Sequence, residues 1–139
     1  MTHHEIALVK KSWAIMQKID PAIVADVFYS KLFSDKPALR RMFPAKMDRQ
    51  YKKLIDMLSA MIARLDRLDE LTADIEAMGR RHVGYGVKEQ HYKLVGAALL
   101  WTLQKGLGAD WNAELHDAWI ACYNKLSGVM INASQEKTI

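Results

Sequence analysis

Apolar residues recur every three or four positions along almost the whole chain, the spacing that lines one face of an α-helix. Ile6, Val9, Trp13 and Met16 form the first stripe, and Thr2 with Glu5 three residues on supplies a capping box ahead of it. Asp20-Pro21 restarts the pattern, with Asp20 as N-cap and Pro21 at the first helical position. The second stripe is Val24, Val27, Phe28 and Leu32. Asp35-Lys36-Pro37 repeats the cap-and-proline logic and predicts a short helix ending near Phe43-Pro44. A long helix is expected from Asp48 to Leu68, lined by Leu54, Met57, Leu58, Met61 and Leu65. Thr72 to His82 is the next. Lys88 to Leu107 follows, ended by Gly106 and Gly108. The last helix runs from Trp111 to Ala133 with Leu115, Trp119, Cys122, Leu126 and Val129 inward. No strand, repeat, low-complexity tract or linker is read anywhere. The expectation is an all-α fold in one domain spanning 1–139.

His82 is the odd member of its stripe. It keeps step with Leu71, Ile75 and Met78, which aims the imidazole inward, and Val83-Gly84-Tyr85-Gly86 should break the helix just beyond it. No second His, Cys or acid stands at chelate spacing from it. Gln50, 32 residues earlier, lies on the apolar face of another helix. An inward imidazole and an inward amide on two helices can face each other across a flat cofactor, and haem suits that arrangement. A core histidine satisfied by hydrogen bonds is the other reading of the same spacing.

Composition narrows the setting. No apolar run nears the ~20 residues that span a bilayer, and Met1-Thr2-His3-His4-Glu5 lacks the apolar core of a signal peptide. Cys122 is the lone cysteine, so no internal disulfide forms, and a reducing cytoplasm is the expected compartment. The formal charge of +4 comes from scattered basic pairs such as Lys10-Lys11, Arg40-Arg41, Lys52-Lys53 and Arg80-Arg81 with acids between them. That is not the single-faced stripe of a nucleic-acid binder. Lys53 and Arg81 flank the suspected pocket and are candidates for pairing with acidic groups on a cofactor; a solvated surface explains them equally well. With no Cys-x-x-Cys-His, a haem here would be held non-covalently, as haem b. Trp13, Trp101, Trp111 and Trp119 read as packing, and His3, His4, His91 and His116 as surface or capping residues.

Particular stretches carry a family likeness. Phe28-Tyr29-Ser30-Lys31-Leu32-Phe33, then Pro37, then Met42-Phe43, and later Gly86 through Gly96, resemble bacterial single-domain globins and the haem domain of flavohaemoglobins. Met78-Gly79-Arg80-Arg81-His82 also resembles neuroglobin. The resemblance covers nearly the whole chain and implies a globin fold, a 3-on-3 helical sandwich around a haem pocket. It makes His82 the proximal ligand and metal contact, Phe43 the aromatic packed on the haem, and Tyr29 and Gln50 the distal pair. Leu54, Met57, Met78, Val87 and Val95 would line the pocket, and Lys53 would reach a propionate. Dioxygen on ferrous haem carries partial negative charge, so a phenol O–H and an amide N–H beside it slow its release. A buried core tyrosine and a solvent-facing glutamine remain the alternatives for these two positions.

The resemblance also marks a departure. Tyr92 matches a tyrosine that supports the proximal histidine, but the acidic residue that accompanies it in flavohaemoglobins aligns with Ser134. Glu136 stands two residues on, on a different helix face. The expectation is a globin region with no flavin- or nicotinamide-binding module after it, so that catalysis would draw on a separate reductase. Reversible O2 binding, for storage or delivery, is the favoured expectation; nitric oxide dioxygenase is the alternative. O2, and NO or CO, are the expected ligands, and the expected state is a monomer or weak homodimer.

Overall fold

The computed structural model describes residues 1–135, and each predicted stripe becomes helix. Six α-helices run in order: α1 His3–Met16, α2 Pro21–Asp35, α3 Asp48–Ala63, α4 Thr72–Gly84, α5 Glu89–Leu107 and α6 Ala113–Ser134. Short 3-10 segments at Pro37–Met42, Leu65–Leu71 and Gly108–Asp110 join them, and no strand occurs among the described residues. Side-chain caps set three of the starts. Thr2 Oγ1 accepts from the Glu5 amide while Glu5 Oε1 accepts from the Thr2 amide. Asp20 accepts from the Ala22 amide at 2.9 Å, and Asn112 from the Leu115 amide at 2.8 Å. Each satisfies a backbone donor that the helix leaves open, worth ~1 kcal/mol.

The main core lies where α1, α2, α5 and α6 meet, with Val9, Met16, Leu32, Leu103, Trp119 and Cys122 fully buried. Its two buried indoles are satisfied. Trp119 Nε1 donates to Ser12 Oγ at 2.9 Å and Trp13 Nε1 donates to Ser59 Oγ at 3.2 Å. A second, smaller core of Met61, Ile75 and Met78 packs with Leu126, Val129 and Met130 and seats α4 on α6. No helix among the described residues is long and apolar enough to cross a membrane.

Several boundaries differ from expectation, each for a local reason. The helix expected over Asp48 to Leu68 stops at Ala63, and Arg67 leaves helical geometry at φ −135°, ψ 39°. Lys10 reaches across from α1 to donate to the Ala63 carbonyl and to Asp66, satisfying the end of α3. Leu65 and Leu68 stay inward through the 3-10 segment, so the apolar rhythm conceals the break. Helix α4 runs past His82 to Gly84, and the chain turns at Gly86, with φ 86°. Gly106 does not end α5. It gives way to Met16, whose Sδ would lie 2.4 Å from a Cβ at that position, and the end falls at Gly108, with φ 53°. Asp35 pairs with Lys31 at 3.0 Å instead of capping the Pro37 segment. Lys88 and Trp111 lie just ahead of α5 and α6. Trp101 is not packing: it is 40% exposed, with Lys31 and Lys105 ammonium groups 4.8 and 4.5 Å from its ring centre.

Candidate functional site

Tyr29 of α2 and Gln50 of α3 meet through a hydrogen bond in which Gln50 Nε2 donates to the Tyr29 hydroxyl oxygen at 3.0 Å. Tyr29 is 4% exposed, and aromatic rings fix it from several sides. Tyr51 stacks on it at 5.6 Å, nearly parallel at 9°. Phe28 and Phe43 meet it edge-on at 4.9 and 5.4 Å, and Phe33 lies 5.8 Å away. The Tyr51 hydroxyl donates to Asp26 at 2.9 Å, which ties the stacked ring back to α2. Burial pushes the Tyr29 hydroxyl above its ordinary range, and the Gln50 bond pulls weakly the other way. The phenol therefore keeps its proton at neutral pH. Its oxygen already accepts from Gln50, so its O–H is left to donate elsewhere.

His82 sits near the end of α4 and is half-buried. Its Nδ1 lies 2.6 Å from the Met78 carbonyl one turn earlier. A carbonyl only accepts, so Nδ1 carries the proton and Nε2 presents its lone pair. The Tyr85 ring stands edge-on to the imidazole at 5.6 Å. The Val87 amide donates to the His82 carbonyl at 3.0 Å and closes the corner after α4. That corner approaches the segment before α3: a Cβ at Gly86 would lie 4.0 Å from Met42 Cε.

The other predicted residues fall in three groups. Phe43 touches Tyr29 directly, and Leu54, Met57 and Val95 are partly buried against the main core. Met78 belongs to the second core, and Val87 is half-buried at the corner. Lys53 and Arg81 are exposed. Tyr92 is 9% exposed, and its hydroxyl is buried with no hydrogen-bond partner among the described residues. Ser134 does not reach it: the Ser134 hydroxyl donates to the Ile131 carbonyl at 2.6 Å on its own helix. Glu136 lies outside the described residues. A cleft of about 480 Å³ between α5 and α6 borders Tyr92 and Tyr123, but neither the Tyr29–Gln50 pair nor His82 lines it.

Sequence reading missed Tyr51, Phe33 and Asp26. The signal was present, since Tyr51 stands three residues before Leu54 and so shares the inner face of α3.

A half-buried histidine near the end of one helix, and a tyrosine bonded to a glutamine between two others, sit within an all-helical fold of the globin kind. The chain belongs to the globin family, whose model matches residues 26–130. Among curated proteins it is 28% identical over 135 residues to a flavohemoprotein of Vibrio cholerae, covering 95% of this chain and 34% of that one. It thus spans about a third of the length of that relative. Among solved structures it superposes on a bacterial globin from Campylobacter jejuni with a TM-score of 0.82, at 26% identity and 96% coverage of both chains. An engineered carbene transferase from Rhodothermus marinus, whose parent carries a provisional assignment as a nitric oxide dioxygenase, matches with a TM-score of 0.83 at 26% identity, covering 96% of this chain and 93% of that one.

The family implies haem, and the side chains fit it. Among the described residues no group of three or more His, Cys, Asp or Glu is placed to hold a bare metal ion. A single imidazole with a directed Nε2 lone pair suits an iron whose equatorial ligands a porphyrin would supply. The buried, unpartnered Tyr92 hydroxyl is a polar atom of the kind that a bound group satisfies.

Proposed function

We propose that this chain binds haem b non-covalently through His82 Nε2 and binds O2 reversibly, as a single domain. When bound, ferrous haem supplies the site at which dioxygen is held. The protein supplies the rest. Met78 fixes the His82 tautomer by accepting from Nδ1, so that in the neutral imidazole the lone pair lies on Nε2. Tyr29, held by its aromatic neighbours, offers a phenol O–H to the ligand. Gln50 donates to the phenol oxygen and thereby strengthens the phenol as a donor. The second Gln50 N–H is available to the ligand as well. Phe43 walls the pocket beside Tyr29, and Leu54 and Val95 keep it apolar, which makes each hydrogen bond inside it count for more than in water.

The observation that carries this reading is the Gln50-to-Tyr29 hydrogen bond, because its direction commits the phenol proton to a further acceptor. Stopped-flow dissociation of O2 from the ferrous protein tests it, with Tyr29→Phe beside the parent. Nitric oxide dioxygenation is the second reading, supported by the flavohemoprotein likeness over 95% of this chain. The same donors that retain O2 would hold it for attack by NO. Steady NO consumption with a supplied electron donor distinguishes turnover from binding.

A further inference from the structure

Helix α4, which carries His82, lies on α6 with unusual closeness at one point. A Cβ built on Gly79 would stand 2.5 Å from the Met130 carbonyl oxygen, 2.7 Å from Met130 Cα and 2.9 Å from Met130 C. All three are backbone atoms, so no side chain can swing aside to make room. Gly84 and Gly128, on the same two helices, would meet nothing within 4 Å. Close backbone contact between α4 and α6 is therefore confined to Gly79 and Met130 among these glycines, and hydrophobic contacts of Ile75 and Met78 hold the helices there.

Gly79 is one residue from Met78, whose carbonyl orients His82, and three residues from His82 itself. Three residues of α-helix place the two side-chain directions roughly 60° apart. Lifting α4 off α6 along the Gly79 direction would draw His82 back along its own direction by about half of that movement. A methyl at Gly79 needs a lift of about 1 Å to reach ordinary van der Waals contact.

We propose that the Gly79–Met130 backbone contact is a mechanical stop that sets how far His82 Nε2 reaches toward its ligand, making Gly79 a positioning residue for the proximal bond. The inference rests on His82 being the haem ligand. Backbone-to-backbone seating is stiff, so the reach of the imidazole is fixed before any group binds. A side-chain-padded contact would let the helix drift with the softness of its packing.

The experiment is resonance Raman of the ferrous haem-loaded protein, read at the iron–histidine stretch. Gly79→Ala should shift that band to lower frequency than the parent. Gly128→Ala should leave it in place. His82→Gly, refilled with free imidazole, separates positioning from a general change in the pocket. There the ligand is no longer tethered to α4, so adding Gly79→Ala should produce no shift. An unmoved band in Gly79→Ala, or the same shift in the imidazole-filled pair, overturns the proposal. A parent-like band in His82→Gly without imidazole overturns the ligand assignment and, with that premise gone, the proposal. Should Gly79→Ala fail to fold, Leu126→Ala decides. It removes packing beside Met78 but keeps the backbone stop, so the band should hold, and a shift would show that side-chain packing sets the reach.

Discussion

The Gln50 amide and the Tyr29 hydroxyl are joined across 3.0 Å, and the bond uses the phenol oxygen as acceptor. This direction matters more than the distance. It leaves the Tyr29 proton free to point away from Gln50.

Tyr29→Phe should therefore speed O2 release about ten- to a hundredfold, the rate equivalent of losing a hydrogen bond to a partly charged acceptor at roughly 1.5–3 kcal/mol. Phenylalanine keeps the stacking with Tyr51 and the edge contact with Phe43, so the effect isolates the hydroxyl. Gln50→Leu should raise the rate by a similar or smaller factor, because Tyr29 remains in place. Laser-flash or stopped-flow traces of the ferrous protein measure both. Release from Tyr29→Phe at the parent rate would remove the phenol from the site.

Ser12 is a second point where one atom serves two partners. Its buried hydroxyl donates to the Leu8 carbonyl at 2.7 Å and accepts from Trp119 Nε1 at 2.9 Å. Ser12→Ala leaves the fully buried indole N–H without a partner, and should cost about 1–3 kcal/mol of unfolding free energy. Urea titration followed by tryptophan fluorescence measures it. A loss below a few tenths would mean that the indole finds another acceptor.

Alkaline pH should weaken the fold through groups that burial keeps protonated. The Cys122 thiol is pushed up from 9.0 to about 12, and burial raises the Tyr29 and Tyr123 phenols above 10.0. In each case the folded state holds a proton that the unfolded chain releases. Their contribution is complete below about pH 9 and declines as pH climbs through the folded values, by at most about 1.4 kcal/mol per pH unit per group. Urea midpoints should accordingly be level in these terms from about pH 7 to 8 and fall above about 9. Cys122→Ala should lessen the fall. At about pH 8, alkylation of Cys122 should proceed only as fast as the protein opens.

Helix identities were legible in the sequence because burial follows the 3.6-residue period, and Thr2, Asp20 and Pro21 announce their starts in local chemistry. The end of α3 was not, because Leu65 and Leu68 extend the same rhythm through a 3-10 segment, and the cation that satisfies Ala63 comes from α1. Gly106 and Gly79 show the same limit. Gly106 reads as a helix end and Gly79 only as part of the family likeness, yet their meaning lies in Met16 and Met130, distant in sequence. His82 and Gln50 stand out by helical spacing and Tyr29 through the family likeness, whereas the Tyr51–Asp26 tether that steadies Tyr29 emerges only once α2 and α3 are packed together.

Tyr92 offers the last test, because its hydroxyl is buried without a partner while Ser134 bonds to its own helix. An unsatisfied buried hydroxyl costs about 1–3 kcal/mol. Removing it should repay that amount wherever nothing else satisfies it. Tyr92→Phe should therefore raise the urea midpoint of the haem-free protein. With haem loaded, the gain should shrink or reverse if the hydroxyl is retained for the proximal side. Ser134→Ala should leave the iron–histidine stretch where it is in the parent, since the serine hydroxyl does not touch Tyr92. Paired unfolding titrations of both forms, with and without haem, decide the matter. An equal stabilisation of Tyr92→Phe in the two forms would mean that the hydroxyl serves neither haem nor His82. A Ser134→Ala shift in the stretch would mean that α6 reaches the proximal histidine through the serine after all.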